Sequence, residues 1–162
     1  MNKSNASIIA LKRTVAQPAD LDTVRRIIET TINKIYPLYY PCDVVQFFLD
    51  HHGLDRILSD IDATCVYLFE TDSVTVGTGT IHGNEITRVF VLPEFQGRGY
   101  GSAIMQKLED IVFRTHRIVK LDSSLPAFDM YLKRGYKFRA WRKIVMTSGQ
   151  VLCYHEMEKE LP

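Results

Sequence analysis

Seven residues, Gln96-Gly97-Arg98-Gly99-Tyr100-Gly101-Ser102, put three glycines between an apolar run ending at Leu92-Pro93 and a long amphipathic segment. The first turn of a helix leaves backbone N–H groups without intrahelical partners, and the aligned peptide dipoles add partial positive charge there. Glycines just ahead of such a turn remove the side chains that would hold a phosphate away, so this stretch can wrap a pyrophosphate with successive amides. Arg98 adds a charge. Two familiar phosphate motifs do not fit: no lysine follows as in a P-loop, and the spacing is not that of a dinucleotide fingerprint opening repeated parallel units. Taken alone, the glycines equally describe a tight turn that binds nothing.

The elements around that turn are legible. The run 7–15 reads as a first strand, and 17–32 as a helix whose Leu21, Val24, Ile27, Ile28 and Ile32 share one face. A connector rich in Pro and Tyr, 33–43, leads into one or two short helices broken near Gly53. Runs 64–70, 73–81 and 85–91, separated by short polar turns, predict an antiparallel meander. A helix from about 101 to 115 with Ala103, Ile104, Leu108, Ile111 and Val112 as its buried stripe, a strand at 117–122, a compact helix at 126–135 and a hairpin with arms 136–146 and 151–160 complete the chain. The strand-helix-strand passage from Glu85 to Asp122 implies one parallel pair in an otherwise antiparallel sheet. The fold class is α/β in the α+β sense, with about six to seven strands and about four helices. One domain spanning 1–162 is expected.

Composition narrows the partners. With 162 residues, 46% apolar and 24% charged, and a formal net charge of +1, the chain has a core but no basic footprint, so neither nucleic acid nor a membrane surface is expected. Cys42, Cys65 and Cys153 have neither CxxC nor metal spacing and suit free thiols in the cytoplasm. No secretory signal or membrane span is recognisable. The adjacent His51-His52 lacks spacing to other ligands, so no metal is expected and the pair reads as a solvated helix end.

The stretch "VFVLPEFQGRGYGSAIMQKLE" resembles the acetyl-CoA signature of the GNAT superfamily of N-acetyltransferases, a strand followed by [Q/R]-x-x-G-x-[G/A] opening a helix. Downstream, "AFDMYLKRGYKF" is similar to the second signature of that family, with Ala127, Tyr131, Gly135 and Tyr136 in register. The likeness is strong over about Thr64 to Phe138; before that, only element order agrees. One departure is Ser124, which stands where an Asn often precedes the second signature and so reshapes a contact to the pantetheine arm.

The resemblance implies acetyl-CoA as cosubstrate and a sheet whose central parallel strands splay apart to admit its arm. Backbone groups of Val89, Phe90 and Val91 would line the arm, with Ser124 opposite, and the amides of Gln96 through Ser102 would hold the pyrophosphate. It implies Tyr131 as the acid that protonates the leaving thiolate and Glu85 as the base that accepts the ammonium proton, His82 being an alternative. A backbone N–H near Val91 or Leu92 would polarise the thioester carbonyl. Tyr36, Tyr39 and Tyr40 stand in the N-terminal half, where the acceptor is expected, although any of them could simply pack the helices; Phe138 and Trp141 read as core or interface. The acceptor expected is the primary amine of a small molecule, with a protein amine or a non-catalytic acyl-CoA module as alternatives. Homodimers are frequent in this family.

Overall fold

The computed structural model describes residues 9–161. The first strand, β1 (Lys12–Val15), is shorter than its apolar run: Ile9 to Leu11 are outside the strand, and residues 7 and 8 lie outside the described residues. Then follow α1 (Leu21–Ile35), α2 (Cys42–His51), α3 (Leu54–Asp62), β2 (Val66–Thr71), β3 (Val74–His82), β4 (Glu85–Val91), α4 (Tyr100–Val112), β5 (Ile118–Ser123), α5 (Phe128–Lys133), β6 (Lys137–Val145) and β7 (Val151–Glu160). The helices α2 and α3 part at Gly53, as expected.

The strands form one sheet in the order β1-β2-β3-β4-β5-β7-β6. Every neighbouring pair is antiparallel except β4 and β5. Strand alternation distributes the apolar residues to two cores: Val66 and Leu68 of β2 meet α1 to α3 on one face, while Phe69 meets α4 on the other.

Helix α4 lies close on β3 because Gly77 and Gly79 leave room for it. A Cβ at Gly77 would stand 2.7 Å from Ile104 Cδ1, and one at Gly79 would stand 2.6 Å from Leu108 Cδ1. The buried face of α4 differs from the apolar stripe, since it includes Met105 and the carboxylate of Glu109, which is 1% exposed, in place of Ala103 and Ile111. Its charge is compensated by Arg134 and Lys159, each 2.8 Å from Oε2. Partners this distant in sequence leave no periodic trace.

At the other end of the sheet, β6 is an edge strand, and Phe138 and Trp141 stand exposed rather than in the core. Among the described residues no helix is long and apolar enough to cross a membrane.

Candidate active site

The parallel pair β4 and β5 is in register at a single position, Glu85 opposite Lys120, with the Lys120 amide on the Asn84 carbonyl at 2.9 Å. Beyond this point the strands part. Their divergence is helped by a bulge: Thr80 pairs with Thr87 and Thr78 with Phe90, so Arg88 and Val89 together face Gly79. Arg88 has φ of +50°, a left-handed conformation that a non-glycine residue holds only under tertiary constraint. The constraint is visible: its guanidinium pairs with Asp60 of α3, and its Nε donates to His52 Nδ1 at 3.2 Å.

A cavity of about 370 Å³ occupies the gap. Glu85, Asp122, Ser124 and Tyr131 line it, together with Val89 and Phe90 of β4; Tyr36, Phe47, Phe48, His51, His52 and Tyr154 add aromatic wall. Tyr131 is buried. Burial, above all, raises its phenol above the ordinary value, and neighbouring Tyr36 and Glu109 add to this while Arg134 opposes it. The phenol therefore stays protonated at neutral pH, as an acid must. Tyr36 is also buried and raised by the same cause; its hydroxyl lies 3.4 Å from Ser124 Oγ.

The glycine turn opens α4 as the spacing requires. Gly99 caps the helix at φ of +85° with no side-chain cap bond, and Gly97 has φ of +73°. The first intrahelical bond runs from the Ala103 amide to the Gly99 carbonyl, so the amides of Tyr100, Gly101 and Ser102 precede the ladder. Arg98 lies over the Phe95 ring, with 6.0 Å from guanidinium carbon to ring centre.

Several backbone groups near the gap are already engaged. Gln96 turns inward to donate to the Val91 carbonyl at 2.8 Å; Thr31 Oγ1 stands 3.2 Å from the same oxygen but has the Ile27 carbonyl nearer, at 2.7 Å, for its one proton. The Leu92 amide donates to Val76 at 2.9 Å, so it belongs to the sheet and is not free to polarise a carbonyl.

Of the residues expected near the acceptor, Tyr36 lines the cavity. Tyr40 does not; its hydroxyl accepts the Leu125 amide at 2.7 Å and so steadies the turn leading into α5. Tyr39 is half exposed and points elsewhere. His82 belongs to a neighbouring cleft, 3.4 Å from Asp60. His52 is not the solvated end its position implied: it packs edge-on to Phe90, and burial together with Arg88 brings its imidazole down to about 3, so it stays neutral.

The sequence reading missed Asp122, at the end of β5. Its carboxyl is held above the usual range by burial, then by Glu85 and Glu156, with Arg142 opposing. The available signal was its position: a carboxylate at the end of the strand that parts from β4. Arg88, a lone charge inside an apolar strand, was a second signal.

The acetyltransferase (GNAT) family profile matches residues 32–136 of this chain. The chain belongs to the GNAT acetyltransferase family. Solved acetyltransferase structures agree over most of the length: the GCN5-related N-acetyltransferase of Rhodopseudomonas palustris is 22% identical, with a TM-score of 0.84 over 96% of this chain and 97% of that one. The PaiA N-acetyltransferase of Thermoplasma acidophilum, solved with coenzyme A, is 17% identical, with a TM-score of 0.73 over 94% and 99%. YncA of Salmonella typhimurium, solved with acetyl-CoA, is 16% identical, with a TM-score of 0.71 over 94% and 95%. Among curated proteins, none matches the chain significantly by sequence. The GNAT family's mixed sheet with one parallel pair is the sheet described above. Among the described residues, no group of three or more His, Cys, Asp or Glu side chains is placed to hold a metal ion.

Proposed function

We propose that the chain, as one domain, moves an acetyl group from acetyl-CoA to the primary amine of a small molecule by direct attack within a ternary complex. The observation that carries this reading is the placement of a buried, protonated phenol, Tyr131, in the same cavity as Glu85, at the point where β4 and β5 part. The glycine turn at the head of α4 fits a pyrophosphate, because Gly97 has nothing within 4 Å of where a Cβ would sit and the helix carries no side-chain cap. Coenzyme A in PaiA and acetyl-CoA in YncA support the choice of cosubstrate.

Each residue then has a task. The acceptor ammonium loses one proton to Glu85, directly or through water, and the neutral nitrogen attacks the thioester carbonyl. As the C–S bond breaks, Tyr131 gives its proton to the sulfur, and the second nitrogen proton, released as the amide forms, restores the phenol. A cavity of about 370 Å³, shared by the thioester end and the acceptor, is at the low end of the roughly 300–1,000 Å³ typical of small-ligand sites. That favours a small acceptor over a peptide.

The test is thiol release from acetyl-CoA with a panel of amines, amino acids and peptides, with mass spectrometry of the products. Release accompanied by an N-acetylated small amine is expected. Binding of acetyl-CoA with no release above background for any acceptor would instead support a non-catalytic acyl-CoA module.

A further inference from the structure

The charges facing the cavity fall into two groups. Arg88 is spent internally on Asp60 and His52. His51 and His52 are both held below the ordinary imidazole value, by burial first and by Arg56 and Arg88 in addition, so neither is a cation at neutral pH. Arg56 lies in the neighbouring cleft with its guanidinium 2.9 Å from His51 Nδ1. Arg142, on the β6 side, is engaged by both oxygens of Glu156, at 2.8 and 3.2 Å. What remains is the carboxylates of Glu85 and Asp122, both exposed at the rim; Lys120 is the register partner of Glu85 but does not line the cavity, and among the described residues neither carboxylate has a cation within ion-pair distance.

The rest of the lining carries little charge and is largely aromatic. Phe47 stacks on His51 at 5.7 Å, Phe48 stands edge-on to Tyr36 at 4.7 Å, and Ile144, Leu152 and Tyr154 extend the surface. Burying such rings against a flat apolar group is favourable, whereas a second anion placed beside two carboxylates that lack ion pairs is repelled by both.

We infer that the acceptor is an amine with an aromatic or bulky apolar body and no carboxylate, seated with its ammonium between Glu85 and Asp122 and its body against Phe47, Phe48 and Tyr154. Asp122 is thereby a specificity-determining residue. Amino acids are disfavoured by charge, and aliphatic diamines leave the aromatic wall unused. This assignment rests on the proposed acetyl transfer for its meaning, but it can be read separately.

Isothermal titration of phenethylamine, phenylalanine and butane-1,4-diamine into the protein holding coenzyme A reads it without chemistry. Phenethylamine and phenylalanine differ by one carboxylate alone. Phenethylamine is expected to bind about tenfold or more tighter than either of the others. Asp122→Asn should narrow its advantage over phenylalanine, and Phe47→Ala should narrow its advantage over the diamine; Phe47 is only partly buried, so the second variant serves if the first folds poorly. Equal binding of phenylalanine, preference for the diamine, or ratios unmoved by both variants would overturn the assignment. Thiol release separates the two claims: preferred binding of phenethylamine without transfer removes the activity and leaves the acceptor class, while transfer to phenylalanine as fast as to phenethylamine does the reverse.

Discussion

Arg134 grips Glu109 through two parallel hydrogen bonds, Nε to Oε1 at 3.1 Å and Nη2 to Oε2 at 2.8 Å, and its Nη1 reaches the Ser102 carbonyl at 2.9 Å. One guanidinium thus joins the end of α5, which carries Tyr131, to the first turn of α4, whose leading amides precede the helical ladder. Lys159 of β7 completes the cluster from the sheet. Removing the carboxylate leaves two cations without their partner in a mostly buried place. Glu109→Ala should therefore lower unfolding free energy by about 3–5 kcal/mol in equilibrium denaturation; a loss under about 1 kcal/mol would mean that the cluster contributes nothing to the join.

Gly99 is held at φ of +85°, with Ile9 Cδ1 3.1 Å from where a Cβ would sit. A β-branched side chain there is strained by roughly 1–2 kcal/mol and obstructs the approach of a pyrophosphate to the amides. Gly99→Val should weaken acetyl-CoA binding at least about tenfold in calorimetry, with the loss falling on KM for acetyl-CoA. Unchanged affinity would remove the turn from the binding site.

Tyr131→Phe keeps the ring and removes the proton. Turnover should fall roughly 10²–10⁴-fold while acetyl-CoA affinity holds, as measured by steady-state kinetics and titration side by side. Wild-type turnover in the variant would dismiss the phenol as the acid.

Stability should narrow at both ends of the pH scale. His52 has an ordinary value near 6.5 and is brought down to about 3 in the fold, so between these the unfolded chain binds a proton that the folded chain refuses. The contribution is whole above pH 6.5 and is lost as pH falls towards 3. Tyr40, pushed up from 10.0 to about 12, and Tyr131, also raised, act in the opposite sense: their contribution is whole below pH 10 and is lost as pH rises past it. Melting temperature should decline on both sides, and His52→Gln should flatten the acid limb alone. An acid limb unchanged in that variant would contradict the buried, neutral imidazole.

Local signals carried much of this in the sequence. The turn 96–102, the strand before it and the helix after it could be read because glycine position and apolar periodicity are properties of neighbouring residues. Tyr131 was singled out through the second signature, Ala127 to Tyr136, which lies beyond the turn in sequence and meets it only in the fold. What stayed hidden depends on pairing across the sheet. The order β5-β7-β6, which brings Tyr154 and Leu152 to the cavity wall, comes from register between strands about 35 residues apart. The left-handed Arg88 owes its conformation to Asp60 and His52, on helices that no local pattern places beside β4. Asp122 had a position but no visible neighbour until Glu85 stood across the gap.

The most direct test of the central claim is a crystal structure of the protein with acetyl-CoA. The account predicts the pyrophosphate on the amides of the turn from Gly97 to Ser102, the pantetheine arm in the gap between β4 and β5, and the thioester sulfur within hydrogen-bond reach of the Tyr131 hydroxyl. An arm that lies outside this gap, or a sulfur out of reach of Tyr131, would contradict it.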